Sequence, residues 1–108
     1  MIIDIEDTKL QIINALTPIN PEKIILFGSY AYGKPNENSD LDILIIKDNY
    51  TNKWKEKSEI KKLLKNIKLP KDILLETQDF FESHISDDCI NTAWYDANKY
   101  GKVLYEKR

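Results

Sequence analysis

Three short apolar runs most constrain how this chain of 108 residues can fold. They span residues 23–27, 40–46 and 72–77, and each is rich in isoleucine or leucine. Runs of this length, bounded by prolines, glycines or polar residues, are typical of buried β-strands. Longer stretches with helical periodicity separate them, so the sequence predicts strands that alternate with helices.

Two amphipathic helices are predicted before the third strand. The first is capped by Asp4 or Asp7 and presents an apolar stripe at Leu10, Ile13 and Leu16. The second is capped by Asn52 and runs to about residue 66, with apolar positions 60, 63, 64 and 67 on one face. We expect both faces to pack on the sheet.

Two further helices are predicted after the third strand. Asp79 can cap a short one, and residues 86–88 can cap a last one whose apolar face starts at Ile90 and that stops at Gly101. Residues 103–105 can add an edge strand. The predicted fold class is α/β (α+β), a small mixed β-sheet flanked by helices, in one domain over residues 1–108.

Composition excludes several classes of protein. The single cysteine, Cys89, excludes a disulfide framework and a cysteine-based zinc site, and the single histidine, His84, excludes a histidine-rich metal site. No apolar run approaches the roughly 18 residues needed to cross a bilayer, and no secretory signal is evident. We therefore expect a cytoplasmic protein without membrane contact.

The net charge of −2 conceals blocks of opposite sign. Residues 47–71 carry nine lysines against three acids, whereas residues 72–96 carry seven acids and no lysine or arginine. Such asymmetry indicates either solvated helix faces or distinct partner surfaces. Because the whole domain is acidic, nucleic acid is not an expected partner.

Carboxylates at the start of two strands are the first candidate functional residues. Asp40 and Asp42 are two positions apart on a strand, so their side chains share a face and repel each other. Asp72 opens the next strand and can join them if the two strands are neighbours, with Glu76 as an alternative third carboxylate. Clustered oxygen ligands suit Mg²⁺, and two such ions can serve phosphoryl transfer.

A glycine turn upstream is the second candidate feature. Gly28 and Ser29 follow the first strand and lead into a helical turn, a geometry in which backbone amides bind phosphate. The same glycine also begins an incomplete P-loop motif that ends at Gly33 and Lys34. Pro35 occupies the position that requires Ser or Thr and prevents a helix there, so the P-loop interpretation is rejected.

Together these residues form a known signature. Gly28-Ser29, ten residues, then Asp40-Leu41-Asp42 resembles the G-S-x10-D-x-D motif of the nucleotidyltransferase superfamily that includes DNA polymerase beta. The whole chain, including the ending Tyr-Gly-Lys-Val-Leu-Tyr at residues 100–105, is similar to the minimal nucleotidyltransferase (MNT) family. The resemblance therefore implies a minimal nucleotidyltransferase core over the whole chain.

The resemblance also implies a mechanism and a partner. Asp40 and Asp42 would hold two Mg²⁺ ions and ATP as the donor, and Asp72 would bind the catalytic metal and help to activate the acceptor hydroxyl. Gly28 and Ser29 would hold the terminal phosphates. Members of the family commonly act as antitoxins that transfer AMP onto a tyrosine of a HEPN-domain toxin.

One position departs from the family pattern. Many relatives have an arginine where this chain has Tyr32, and Lys34 is the candidate to supply that charge at the nucleotide. Two alternatives therefore stay open: a non-catalytic antitoxin that acts by occlusion, and a transferase that modifies a small-molecule hydroxyl. The nucleotide base, the acceptor and the oligomeric state are left open by the sequence.

Overall fold

A four-stranded mixed sheet forms the centre of the molecule in the computed structural model, which describes residues 5–35 and 39–107. Its order is β3-β2-β1-β4; β1 pairs antiparallel with β2 and β4, and β2 pairs parallel with β3. The bounds, each within one residue of the sequence prediction, are β1 (Lys23–Phe27), β2 (Leu41–Ile46), β3 (Lys71–Glu76) and β4 (Lys102–Glu106).

Helices cover both faces of this sheet. They are α1 (Ile5–Leu16), α2 (Ser29–Tyr32), α3 (Lys53–Leu63), α4 (Gln78–Ser83) and α5 (Ala93–Tyr100), with 3₁₀ turns at Thr17–Ile19 and Asp87–Cys89. Across residues 5–35 and 39–107, none of the helices is long and apolar enough to cross a membrane. The predicted α+β class, a small mixed sheet flanked by helices, is confirmed.

Strand alternation separates two apolar clusters. Residues of α1 and α3 pack on one face against side chains such as Ile43 and Ile45 of β2. On the other face, Leu44 and Ile46 pack with Phe81 of α4 and others. Because successive side chains point to opposite faces, Asp42 shares the second face with Leu44 and Ile46.

The apolar stripe predicted for α1 is wrong in part. Thr8, Ile12 and Leu16 are the buried positions of this helix, and Leu10 is 61% exposed. The buried residues recur every four positions, which turns Leu10 away from the sheet. Asp4, the alternative cap, lies outside the described residues.

Two predicted caps are also wrong. Thr77 rather than Asp79 caps α4, accepting a hydrogen bond from the amide of Phe80 at 3.2 Å, and Thr92 caps α5 in the same way. Asn91 has a φ of 75°, which interrupts any helix that starts before it, so Ile90 is exposed instead of facing the core. Asn52 does cap α3 as predicted.

The edge strand β4 is irregular. Ile24 is opposite Tyr105 and Ile25 is opposite Val103, so Leu104 is an extra residue between the two pairs. An insertion of this type is a β-bulge, which bends and twists the strand that contains it.

Paired substitutions on α1 test which face is buried. We expect Ile12→Ala to lower the free energy of unfolding by about 2–5 kcal/mol, because it empties a fully buried site. Leu10→Ala removes a side chain of the same size from an exposed site, so its effect should stay within about 0.5 kcal/mol. Urea denaturation followed by circular dichroism measures both, and equal losses would contradict the observed face.

Candidate active site

Two of the three candidate carboxylates lie on adjacent parallel strands. The register places Asp42 of β2 directly opposite Asp72 of β3, and Asp40 precedes β2 by one residue. Alternation gives Asp42 and Asp72 the same face of the sheet. The structure therefore brings the three acids to one end of the sheet, where Asp40 and Asp72 are exposed and Asp42 is partly buried.

The surroundings of Asp42, the central carboxylate, change its pKa. Burial, the negative charge of Asp72 and that of Asp40, in this order of effect, raise the pKa of Asp42 from 3.8 to about 6. Lys34 is not among the groups that shift this pKa. Additional positive charge beside Asp42 would therefore be favourable.

The three carboxylates are ligands of the type that a hard divalent cation prefers, although their oxygens do not yet converge on one point. Among residues 5–35 and 39–107, no three His, Cys, Asp or Glu side chains already converge as a metal site. All three candidates are carboxylates at a solvent-accessible sheet end, and their mutual repulsion is the conflict that a cation relieves. The residues therefore fit Mg²⁺ after side-chain rotation.

Gly28 is required where the chain leaves β1. Its φ of 76° is a conformation that residues with a Cβ rarely adopt, and a Cβ there would overlap Oδ2 of Asp42. The last residue of β1, Phe27, pairs with Asp42, which fixes this close approach. The backbone of the turn and the central carboxylate are therefore in direct contact.

Ser29 is the first residue of the short helix α2, and Lys34 lies two residues beyond its end. The hydrogen bonds of α2 begin with the amides of Ala31 and Tyr32, which donate to the carbonyl of Gly28 at 3.0 and 3.1 Å. The two preceding amides, of Ser29 and Tyr30, are not used by the helix and can bind an anion. Lys34 is exposed beyond the far end of α2.

The alternative third carboxylate, Glu76, has a different role. It lies at the opposite end of β3 and is buried. Its Oε1 accepts from Lys53 Nζ and its Oε2 accepts from Trp94 Nε1, both at 3.0 Å. Glu76 therefore joins α3 to α5 across the sheet, and Asp72 is the carboxylate that accompanies Asp42.

Sequence reasoning missed an aromatic pair beside the site. The rings of Tyr32, the last residue of α2, and Tyr100, the last residue of α5, are 5.6 Å apart. Burial and the charges of Asp96 and Asp42 raise the pKa of Tyr32 against a hydrogen bond from the Gly28 backbone. The one sequence signal for this contact was Gly101, which lies between the end of α5 and the start of β4.

A family model and one curated relative match the chain. The model, described as a nucleotidyltransferase domain, matches residues 7–95. A Methanocaldococcus jannaschii protein named "Putative protein adenylyltransferase MJ0141" is 46% identical over 55 residues, which are 50% of this chain. The match covers 54% of that relative, so the chain spans about half the length of the curated protein it matches.

Solved structures share the fold. A toxin–antitoxin structure with AMP-PNP aligns over 93% of this chain and 74% of that chain, with a TM-score of 0.65 and 22% identity. A Shewanella oneidensis complex of an MNT antitoxin with a tri-AMPylated HEPN toxin aligns over 94% of this chain and 72% of that chain, with a TM-score of 0.60 and 18% identity. At these identities the likeness establishes the fold.

The raised pKa of Asp42 predicts a pH-dependent loss of stability without metal. Between about pH 4 and pH 6 the folded state retains a proton that the unfolded state has lost, so stability falls as pH rises. Asp42→Asn should abolish this part of the loss, which we expect to be about 1 kcal/mol after solvent screening. Urea titrations at pH 4 and pH 7 in chelator-treated buffer measure it.

The control for this experiment is Asp79→Asn, because Asp79 is an exposed acid on α4. Its pH dependence should equal that of the wild type. A wild type and an Asp42→Asn variant with parallel stability curves would contradict the electrostatic coupling of the three acids.

Proposed function

Because the chain belongs to the nucleotidyltransferase domain family, we propose that it transfers AMP from ATP, with Mg²⁺, onto a hydroxyl group of a protein partner. The observation that carries the proposal is the contact between the Gly28 turn and Asp42, next to Asp72 on the neighbouring strand. A phosphate-binding turn and a carboxylate cluster at one sheet end are the two parts that such a transfer needs.

Each residue has a distinct part in this mechanism. Asp40, Asp42 and Asp72 would hold Mg²⁺, two ions in all, which when bound supply the positive charge that stabilises the phosphates in the transition state. The amides of Ser29 and Tyr30, which α2 does not use, and the backbone of Gly28 would orient the terminal phosphates. Lys34, which is exposed after α2, would supply a positive charge to the nucleotide.

The reaction itself is a displacement at the α-phosphorus. The acceptor oxygen forms a bond to this phosphorus, the bond to the pyrophosphate oxygen breaks, and pyrophosphate leaves. The proton of the acceptor hydroxyl passes to a base, and the exposed carboxylate of Asp72 lies next to Asp42 to receive it.

A HEPN-type toxin is the partner that we propose, with a tyrosine as its acceptor. Asp40 and Asp72 are exposed, so the reacting end is open to a residue on the surface of a large molecule. The adenylyltransferase name of the archaeal relative and the fold shared with an antitoxin bound to an AMPylated HEPN toxin support this choice. The chain would then act as the antitoxin of the pair.

Intact-mass spectrometry of a HEPN partner, incubated with this protein, ATP and Mg²⁺, tests the proposal. We expect mass gains in AMP units on the partner, at a tyrosine. Asp42→Asn should slow the transfer by about a hundredfold or more, because the lost metal interactions are worth several kcal/mol. The matched control, Asp79→Asn, should react like the wild type.

Two outcomes would contradict the proposal. One is a partner without added AMP in the presence of wild type. The other is neutralisation of the toxin by Asp42→Asn at the wild-type level, which would favour a binding module that acts by occlusion. Transfer to an aminoglycoside hydroxyl instead of the partner would favour the small-molecule alternative.

A further inference from the structure

One side of α3 combines an exposed aromatic ring with lysines. Trp54, Lys57, Ser58 and Lys61 recur at i, i+3, i+4 and i+7, so their side chains share one side of the helix. We call these four residues the α3 face. Trp54 is 83% exposed, which is the highest exposure of any large apolar side chain in the described part of the chain.

No acid of α3 shares this face. Glu56 and Glu59 are the two acids of the helix, and at 100° per residue they lie about 140–160° around the axis from Trp54. In the part of the chain that the structure describes, neither Lys57 nor Lys61 takes part in an ion pair. The positive charge of the α3 face is therefore balanced by solvent ions or by a bound partner.

The Trp54 ring borders a recess in the surface. Lys53 and Lys57 line this recess beside the ring. Lys53 is held there because its Nζ donates to Oε1 of the buried Glu76 at 3.0 Å. An aromatic ring at the centre and charged side chains around it are the usual composition of a protein–protein interface.

The α3 face leads to the carboxylate end of the sheet. At the start of α3, Lys53 contacts Glu76, the last residue of β3. Beyond the end of α3, the carbonyl of Ile67 accepts from Nζ of Lys71, the first residue of β3, at 2.6 Å. α3 therefore runs antiparallel to β3, and its C-terminal end lies at the sheet end where Asp72 is exposed.

We propose that the α3 face is the docking surface for the protein that accepts AMP, which would meet it with an acidic surface and an apolar recess for the Trp54 ring. The inference rests on the proposed function and names the surface through which the partner binds. Lysines that face no acid of their own chain are stabilised by carboxylates of a partner, so charge complementarity favours an acidic one. A large molecule seated along α3 also extends past its C-terminal end, where the acceptor hydroxyl is needed.

A protein is favoured over a nucleic acid as the occupant. Single-stranded nucleic acids are held by aromatic rings that stack on successive bases, and the α3 face has one ring. Domains that bind nucleic acids through basic surfaces have a high isoelectric point, whereas this chain has a net charge of −2. A compact acidic protein surface fits both observations better.

Surface plasmon resonance with an immobilised HEPN partner, in the absence of ATP, tests docking separately from transfer. Trp54→Ala should weaken binding about thirtyfold, because a buried aromatic anchor dominates the affinity of an interface. The double variant Lys57→Gln/Lys61→Gln should bind about tenfold more weakly at about 0.05 M salt, mainly through slower association, and about as tightly as the wild type at about 0.5 M salt. Soluble poly-L-glutamate should compete with the partner for the wild type.

Two matched variants serve as controls. Leu10→Ala removes an exposed apolar side chain from α1, and Lys102→Gln/Lys107→Gln removes two exposed lysines at β4 and just after it. Both should bind the partner as the wild type does, and equal losses in these controls would overturn the assignment to α3. Urea midpoints of all variants should match the wild type, which separates lost binding from lost structure.

The outcomes distinguish the docking surface from the proposed function. The docking surface alone is overturned if the partner gains AMP and both α3 variants bind it as tightly as the wild type. It is also overturned if a single-stranded RNA binds the wild type more tightly than the partner does and loses affinity in the same variants, which would assign the face to nucleic acid. Binding through the α3 face without transfer of AMP would overturn the proposed transfer and retain the docking surface.

Discussion

The close approach of Gly28 to the Asp42 carboxylate is the constraint on which the site depends. It is set by the antiparallel pairing of β1 with β2, because Phe27, the residue before Gly28, is opposite Asp42. A side chain at Gly28 would separate the backbone of this turn from the carboxylate. The apolar pairing of two strands thus fixes the distance between two polar groups that would not otherwise associate.

β3, the parallel partner of β2, places Asp72 beside Asp42, and the two carboxylates repel each other. Two parallel strands need a crossover connection, and α3 supplies it on the face opposite the acids. The register of this crossover decides that Asp72, and not an apolar neighbour, stands beside Asp42. Burial of the apolar side chains on both faces of the sheet offsets this repulsion, which a bound cation would relieve.

The sequence predicted the strands and the motif residues well because their signals are local. Apolar runs ended by glycine or proline mark the strands, and fixed spacing relates Gly28 to Asp40 and Asp42. Leu10 and Ile90 were misplaced because several residues could have formed the apolar face, and tertiary packing selected among them. Tyr32 and Tyr100 could not be paired in advance, since 67 residues separate them and only the order of the sheet joins them.

The β-bulge at Leu104 affects whether copies of this protein associate through β4 in a concentrated solution. A flat outermost strand offers unpaired backbone groups to which further strands can add, which is the first step towards fibrils. The bulge distorts that template, and Lys102 and Glu106 place charges at both of its ends. The molecule can in this way leave its lateral edge exposed without recruiting copies of itself.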